Sequence, residues 1–175
     1  LILAGCSLDQ LILLPQQQVN TEPENTTPPI EEEPEKIVQK EPVHYSATIS
    51  AIGDILIHTP LYEDAYLGEN KYDFTKMFTQ VKPYLESADI AVANSESMIG
   101  GQGIGLSSYP RFNSPYELGD ALKFAGIDVV NLANNHTLDR GEQAILNATN
   151  YWNQLGITYV GAATSKEEAE TIKTV

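Results

Sequence analysis

Residues 125–141 read AGIDVVNLANNHTLDRG, and this stretch is the most informative for the fold. Its apolar part, residues 128–132, is typical of a buried β-strand, and a polar cluster at residues 134–139 follows directly. Two earlier apolar runs end in the same way, one in Gly53-Asp54 and one in Asn94-Ser95-Glu96. In an open parallel sheet, the loops beyond the carboxyl ends of several strands meet and bind ligands. The sequence therefore predicts a site at this edge of a sheet.

The same alternation extends in both directions from this stretch, over residues 46–175. Short β-branched runs predict strands over 48–52, 90–93, 128–132 and 157–160. Apolar residues at helical spacing predict helices over 74–85, 114–125 and 145–155, and another from 165 onward. Alternating β and α units imply right-handed crossovers between parallel strands. We therefore expect an α/β fold with a mainly parallel sheet and helices on both faces.

The amino-terminal residues 1–6 read LILAGC and resemble a bacterial lipobox. In lipoproteins a peptidase cleaves before the cysteine, which then carries acyl chains, so we predict a signal-peptide remnant at 1–6 and lipidation at Cys6. The alternative is a hydrophobic fragment with an unpaired thiol. Because Cys6 is the single cysteine, an intrachain disulfide is excluded. The first interpretation predicts an extracytoplasmic protein anchored by lipid to the bacterial cell membrane.

Residues 7–45 are rich in Pro, Glu, Gln and Thr and include the run EEEPE at 31–35. This segment has few large apolar residues to offset the entropy of ordering, so it predicts a disordered tether. An irregular surface arm of the following domain is the alternative. The formal net charge of −14 argues against a nucleic-acid partner and against direct electrostatic binding to an anionic membrane surface. An acidic chain suits metal cations better than polyanions.

Four side chains of the strand-end clusters are candidate metal ligands. Carboxylate and amide oxygens are the ligands that hard divalent cations prefer, and paired ions clamp phosphoryl groups in two-metal hydrolases. Each side chain also has an ordinary explanation as a turn or cap residue. Their joint position at consecutive strand ends favours a metal site. The candidates are Asp54, Asn94, Glu96 and Asn135.

Four further side chains are candidates for chemistry or substrate contact. His136 lies between a strand and a helix, and Asp139 follows three residues later, where it can orient the imidazole. We assign this pair a catalytic role, with a structural histidine as the alternative. His58 is a candidate ligand or substrate contact, and Arg111 is a candidate partner for a substrate carboxylate or phosphate. A surface position is the alternative for both.

Residues 100–105 read GGQGIG but lack both the GxGxxG spacing and the Lys-Ser/Thr ending of a phosphate-binding loop. A glycine-rich segment beside a predicted site is typical of mobile loops that carry function. The sequence therefore predicts a mobile flap here.

Motifs in their order along the chain resemble the poly-gamma-glutamate capsule-synthesis protein family (CapA-like). The resemblance covers about residues 48–161, and its most specific part is the stretch 133–141, Ala-Asn-Asn-His-x-x-Asp-x-Gly. It is also carried by residues 51–54 (AIGD), by Ala88-Asp89 leading to Asn94-Ser95-Glu96, and by Phe112 and Pro115. In the middle motif, Ser95 stands where the family more usually has leucine.

The resemblance implies a fold similar to that of calcineurin-like metallophosphatases, with the chain forming the first part of an α/β sandwich. It implies a centre of two divalent ions (Mn, Mg, Zn or Fe) in the full-length protein, with Asp54, Glu96 and Asn135 at metal positions. His136 matches the histidine expected to act on the leaving group or the phosphate. Residues 171–175 look like the start of another strand, so we expect 46–175 to be the amino-terminal part of a longer domain.

Two functions remain open on these residues. The complete protein is either a metal-dependent hydrolase or ligase-like enzyme, acting on a phosphoester or a γ-glutamyl polymer, or a non-catalytic surface component that binds through the same crevice. The implied partners are poly-gamma-glutamate or another anionic polymer, capsule-synthesis membrane proteins, and the membrane through a lipid anchor.

Overall fold

The computed structural model describes residues 43–175. The predicted signal-peptide remnant, the lipobox Cys6 and the predicted tether up to residue 42 lie outside the described residues. The strands in the described range are β1 (Ile49–Ile52), β2 (Tyr66–Gly68), β3 (Lys71–Tyr72), β4 (Ile90–Asn94), β5 (Val129–Asn131) and β6 (Thr158–Val160). The α-helices are α1 (Thr59–Ala65), α2 (Thr75–Phe78), α3 (Lys82–Glu86), α4 (Tyr116–Phe124), α5 (Gly141–Leu155) and α6 (Lys166–Ala169), and a 3-10 helix covers Gln102–Ile104.

The main sheet has four strands in the order β1-β4-β5-β6, and every neighbouring pair is parallel. The α/β class and the mainly parallel sheet are therefore confirmed. All four predicted strands are present, with ends that differ from the prediction by no more than one residue. Because these strands lie side by side in chain order, their carboxyl ends form one continuous edge, which holds the candidate site.

Burial alternates along the strands and defines two different sheet faces. Ala91, Ala93 and Val130 are fully buried and share one hydrophobic core with side chains of α4 and α5. The intervening positions, such as Val92 and Val129, are only partly buried. Right-handed crossovers between strands that follow one another across a sheet place successive helices on the same face. We expected helices on both faces of the sheet. In the described part of the chain, the helices are concentrated on one face.

The helix predicted over 74–85 is instead two short helices, α2 and α3. Pro83 lies in the first turn of α3, where its missing N–H costs nothing. In one continuous helix the same proline would remove the hydrogen bond to the carbonyl of Thr79 and clash with the preceding turn. The prediction was therefore wrong about continuity, although Phe78 and Leu85 are both buried as the apolar spacing indicated.

The start of α4 also differs from its prediction. The predicted helix starts at residue 114, but Ser114 is fully buried outside the helix and Pro115 occupies the N-cap position. The Ser114 hydroxyl is 2.9 Å from the hydroxyl of Ser97 and 3.1 Å from that of Tyr62, so it bonds to other side chains rather than capping the helix. The helix predicted from residue 165 onward is present as α6, and the Ser165 hydroxyl caps it by accepting a hydrogen bond from the Glu168 N–H.

Two features have no counterpart in the prediction, namely helix α1 and the antiparallel hairpin of β2 and β3. The hairpin turn places Glu69 and Asn70 at φ values of 51° and 58°, which tight hairpin turns require. Residues 171–175, predicted to begin another strand, contain no helix or strand. No helix in the described range has the length and apolar character needed to cross a membrane.

Candidate functional site

The carboxyl ends of β1, β4 and β5 bring three polar side chains into one chain of hydrogen bonds. Asn94 and Asn131 are register partners at the ends of β4 and β5, and the Asn131 amide N–H donates to the Asn94 amide oxygen at 2.9 Å. The Asn94 amide N–H in turn donates to the Asp54 carboxylate at 2.7 Å. The predicted convergence of Asp54 and Asn94 at one sheet edge is therefore present.

Glu96 lies at the inner side of this edge, with only 14% of its side chain exposed. Burial raises the pKa of its carboxyl group, and the neighbouring Asp54, through both its charge and a hydrogen bond, raises it further. The imidazole of His136, whose Nε2 is 3.8 Å from Glu96 Oε1, acts in the opposite direction. The partly buried Glu96 and His136 thus meet the exposed Asp54 carboxylate at this edge of the sheet, and we call this place the crevice.

His136 is held in place by Asp139, as the spacing of three residues indicated. Its Nδ1 lies 2.7 Å from Asp139 Oδ2, and the same carboxylate oxygen accepts the backbone N–H of Phe112 at 2.8 Å. A carboxylate that accepts the Nδ1 proton leaves Nε2 as the acceptor, and here Nε2 faces Glu96. This arrangement orients the imidazole toward the crevice.

The two other candidates, His58 and Arg111, lie next to the His136–Asp139 pair. The Phe112 ring packs edge to face against His136 on one side, with ring centres 4.8 Å apart, and against His58 on the other, at 5.1 Å. The Arg111 Nε–H donates to the backbone oxygen of Asp139 at 2.8 Å. Both candidates therefore lie beside the His136–Asp139 pair, and in the described part of the chain neither forms a hydrogen bond or ion pair with Asp54 or Glu96.

Asn135, the fourth candidate ligand, does not join the hydrogen-bonded network. It is exposed and lines a separate cavity of about 450 Å³, together with residues of the loop after β6 such as Gly161. Its neighbour Asn134 is the one tied to the site, because its amide N–H donates to the Ser95 carbonyl at 3.2 Å. The Asn134 side-chain oxygen also accepts the backbone N–H of His136 at 2.9 Å.

The glycine-rich segment predicted as a mobile flap is held by side chains on both sides. Asn113 accepts the Gly100 N–H and donates to the carbonyls of Gly101 and Gly105, each at 2.9 Å. Arg140 donates to the Gly105 carbonyl at 2.9 Å. Gly100 is buried, and a Cβ there would lie 2.4 Å from the Asn113 side-chain oxygen. The segment is therefore held by hydrogen bonds at both ends, which does not fit a mobile flap.

Two residues of the site were not identified from the sequence. The sequence pattern predicts Asn131 only as part of a strand, although a polar residue within the apolar run Val129-Val130-Asn131-Leu132 is a signal that marks it. Phe112 was noted only for the family resemblance, and no pattern indicates that it would pack between two histidines. Such contacts depend on the folding of a loop, which residue spacing does not predict.

The donor set is suited to a divalent cation, although it is small. Among the described residues, no group of three or more His, Cys, Asp and Glu side chains is arranged to hold a metal ion. Asp54 and Glu96 form a close pair of carboxyl groups, and like charges in a partly buried place are what a cation relieves. The described residues thus fit part of a metal shell.

Comparison with known proteins gives the chain a family. The model of the family described as "Bacterial capsule synthesis protein PGA_cap" matches residues 48–175, which include every residue of the crevice. The capsule biosynthesis protein CapA of Bacillus anthracis is 27% identical over 131 residues, covering 71% of this chain and 30% of that protein.

Two proteins of Sinorhizobium fredii (strain NBRC 101917 / NGR234) match a similar region. The uncharacterized proteins y4sH and y4uA are each 24% identical over 132 residues, covering 72% of this chain and 27% of each relative. The chain thus spans less than a third of the length of these relatives. Because the family model covers nearly all of the described residues, the chain belongs to the bacterial capsule synthesis protein family PGA_cap.

Proposed function

We propose that the crevice of this chain binds a divalent metal ion and serves the synthesis or export of a poly-gamma-glutamate capsule at the outer face of the membrane. The observation that carries the proposal is the meeting of Asp54, Glu96 and His136 at the carboxyl edge of three neighbouring parallel strands. Ligand sites of open α/β sheets lie at this edge. The family supports the link to capsule biosynthesis, since the chain is similar to a capsule biosynthesis protein.

In this proposal Asp54 and Glu96 are the central metal ligands. Asn135 is proposed as an amide ligand on the family resemblance alone, because in this structure it lines the neighbouring cavity and makes no contact of the crevice network. The matched part is less than a third of the relatives, and further ligands are proposed to lie in the remainder. Asn94 is better suited to orient Asp54, because its amide nitrogen and oxygen are both engaged with neighbouring side chains. A divalent ion, or the expected pair of ions, would supply Lewis-acid polarisation of a substrate oxygen.

His136 is the proposed catalytic residue and Asp139 its positioning residue. The Asp139 carboxylate holds Nδ1, so Nε2 is available to exchange a proton with a substrate oxygen or to hydrogen-bond to it. Arg111 and His58, on either side of Phe112, would contact the rest of the substrate. The substrate class is a phosphoester or a γ-glutamyl polymer, both of which present an oxygen that a metal ion polarises.

A non-catalytic role is the second candidate, and one observation favours it. The described residues lack a cluster of three His, Cys, Asp or Glu side chains arranged to hold a metal ion, and a metal-dependent hydrolase relies on such ligands. In this case the same crevice would bind the polymer or a capsule-synthesis membrane protein. Lipidation at Cys6 and the acidic tether of residues 7–45 would hold the domain near such partners under either proposal.

Capsule measurement in the source bacterium tests the proposed function. The chromosomal copy is replaced by Glu96→Ala, with Glu170→Ala as the control, because the Glu170 side chain is 70% exposed at the C-cap of α6. We expect the first change to reduce surface poly-gamma-glutamate and the second to leave it unchanged. The size and amount of released polymer then separate the two candidates: altered polymer length indicates an enzyme, and loss of attachment alone indicates a binding component. Normal capsule with Glu96→Ala would contradict both.

A further inference from the structure

A second concave surface lies one helical turn along α1 from His58, where the helix meets the β2–β3 hairpin. Three tyrosine rings converge there. Tyr66 and Tyr72 are tilted by 53° with ring centres 5.4 Å apart, and Tyr62 stands nearly edge-on to Tyr72, at 76° and 6.2 Å. With Glu63 and Asn70, these rings line a shallow cavity of about 370 Å³. We call this surface the tyrosine pocket.

Two of the three rings are fixed by contacts outside the tyrosine pocket. The Tyr62 hydroxyl donates to the Asn113 carbonyl at 3.1 Å, which anchors this ring to the loop before α4. Tyr72 stacks on the buried Phe74 with an angle of 12° between the rings. Tyr66 is 48% exposed and forms the open side. A pocket with fixed rings loses little conformational entropy when a ligand binds.

The charge of the tyrosine pocket limits the ligands that it can take. Glu63 is exposed, and its carboxylate makes no hydrogen bond or ion pair within the described part of the chain. The nearest lysine along the hairpin is Lys71, which pairs with Glu69 at 3.4 Å. The negative charge of Glu69 offsets the positive charge of Lys71. A carboxylate beside electron-rich ring faces repels an anion, so the pocket is poorly suited to a segment of polyglutamate. The same combination attracts a cation.

We propose that the tyrosine pocket binds a substituted ammonium group, with the tyrosine faces supplying cation–π contacts and Glu63 supplying the counter-charge. Aromatic rings that surround a positive charge are the usual recognition element for quaternary and alkylated amines. This inference is independent of the proposed metal crevice, because it uses no residue of that crevice. The shallow cavity of about 370 Å³ suits a small organic cation that carries this group.

Titration with a matched pair of ligands tests this proposal on the full-length protein. Choline carries a quaternary ammonium group, and 3,3-dimethylbutan-1-ol has the same shape without the charge. We expect choline to shift the NMR signals of the tyrosine pocket and to bind at least about fivefold more tightly than the alcohol, as a cation–π contribution requires. Equal binding of the two compounds, or no binding of choline, would overturn the proposal.

Variants then show whether the expected side chains are responsible. Tyr66→Ala and Glu63→Gln should each weaken choline binding by about threefold or more. Both residues are exposed, so circular dichroism should show an unchanged fold. The control is Tyr84→Ala, because Tyr84 is a 74% exposed tyrosine on α3 outside the pocket. Unchanged choline affinity in both pocket variants would place the binding elsewhere and refute the assignment. Methyl glucoside is an uncharged ligand of aromatic surfaces, and its binding in place of choline would refute the assignment as well.

Discussion

The imidazole of His136 and the carboxylate of Asp139 are joined by a contact of 2.7 Å between Nδ1 and Oδ2. The same oxygen also accepts the backbone N–H of Phe112, so the carboxylate is held from two directions. This fixes the ring with Nε2 toward Glu96 and away from the loop that carries it. The histidine is therefore positioned for a ligand in the crevice.

The position of His136 predicts that replacing it and replacing Glu96 have different effects on bound metal and on capsule output. His136→Ala in the full-length protein should keep most of its bound metal, because the histidine is proposed to contact substrate, while capsule output falls by about tenfold or more. Glu96→Ala should lose both metal and output. Elemental analysis of the purified variants beside a capsule assay measures this. If His136→Ala loses as much metal as Glu96→Ala, then His136 is a ligand and its proposed role is wrong.

Membrane anchoring through Cys6 stays a prediction from the lipobox. Cys6→Ser in the full precursor should move the protein from the membrane fraction to the soluble or released fraction, because no acyl chain can then be attached. Immunoblots of cell fractions measure the change, and Ser7→Ala beside the lipobox is the matched control. A Cys6→Ser protein that still sediments with the membrane would argue for a different anchor.

The close approach of the loops after β5 and β6 makes Gly161 intolerant of a side chain. Gly161 has a φ of 84°, and a Cβ there would lie 2.6 Å from the backbone nitrogen of Ala133. We expect Gly161→Ala to lower the free energy of unfolding by about 1–3 kcal/mol. Urea unfolding measures this, with Gly103→Ala as the control because a Cβ at Gly103 meets nothing within 4 Å. Equal stability of the two variants would contradict the strain assigned to Gly161.

Glu168 makes stability depend on acidic pH. Burial favours a higher pKa for this carboxyl, but hydrogen bonds from Lys173, Tyr159 and Thr164 outweigh it and lower the pKa to about 2 from the ordinary 4.5. A lowered folded-state pKa stabilises the protein above the ordinary value, and this stabilisation is lost as the pH falls from 4.5 toward 2.

Glu168→Gln should therefore destabilise the protein at pH 7 and remove part of the stability loss between pH 4.5 and 2. Urea unfolding across this range measures the effect. The control is Glu170→Gln, which replaces a 70% exposed carboxylate whose nearest lysine contact is 3.8 Å. Parallel pH profiles for the wild type and Glu168→Gln would show that the carboxylate is not responsible.

The strands of the main sheet could be predicted because their apolar runs are short, β-branched and followed by polar residues. The hairpin of β2 and β3 could not, since its turn residues Glu69 and Asn70 are not the Asn-Gly pair typical of such turns. The break between α2 and α3 was detectable from Pro83, because a proline in a helical pattern marks a boundary. The prediction of one continuous helix used only the spacing of apolar residues and did not take Pro83 into account.

The candidate site was predictable to the extent that it depends on topology. Parallel strands bring Asp54, Asn94 and Glu96 to one edge whatever the details of the loops. The orientation of Asn135 away from the network, with Asn134 bound in its place, depends on the turn geometry after β5. Asn134 and Asn135 are adjacent and of the same type, so the pattern of residues along the sequence does not show which of them faces the site.

A metal-dependent shift in melting temperature tests the central claim most directly. Addition of Mn²⁺ to the full-length protein at about 100 times its Kd should stabilise it by about 2.7 kcal/mol and raise Tm by roughly 5–10 °C. The double variant Asp54→Asn/Glu96→Gln should lose this rise, and Glu167→Gln/Glu170→Gln, in and at the end of α6, should keep it. If the protein shows no rise with Mn²⁺, Mg²⁺, Zn²⁺ or Fe²⁺, or if the crevice variant shows the same rise as the wild type, the crevice is not a metal site.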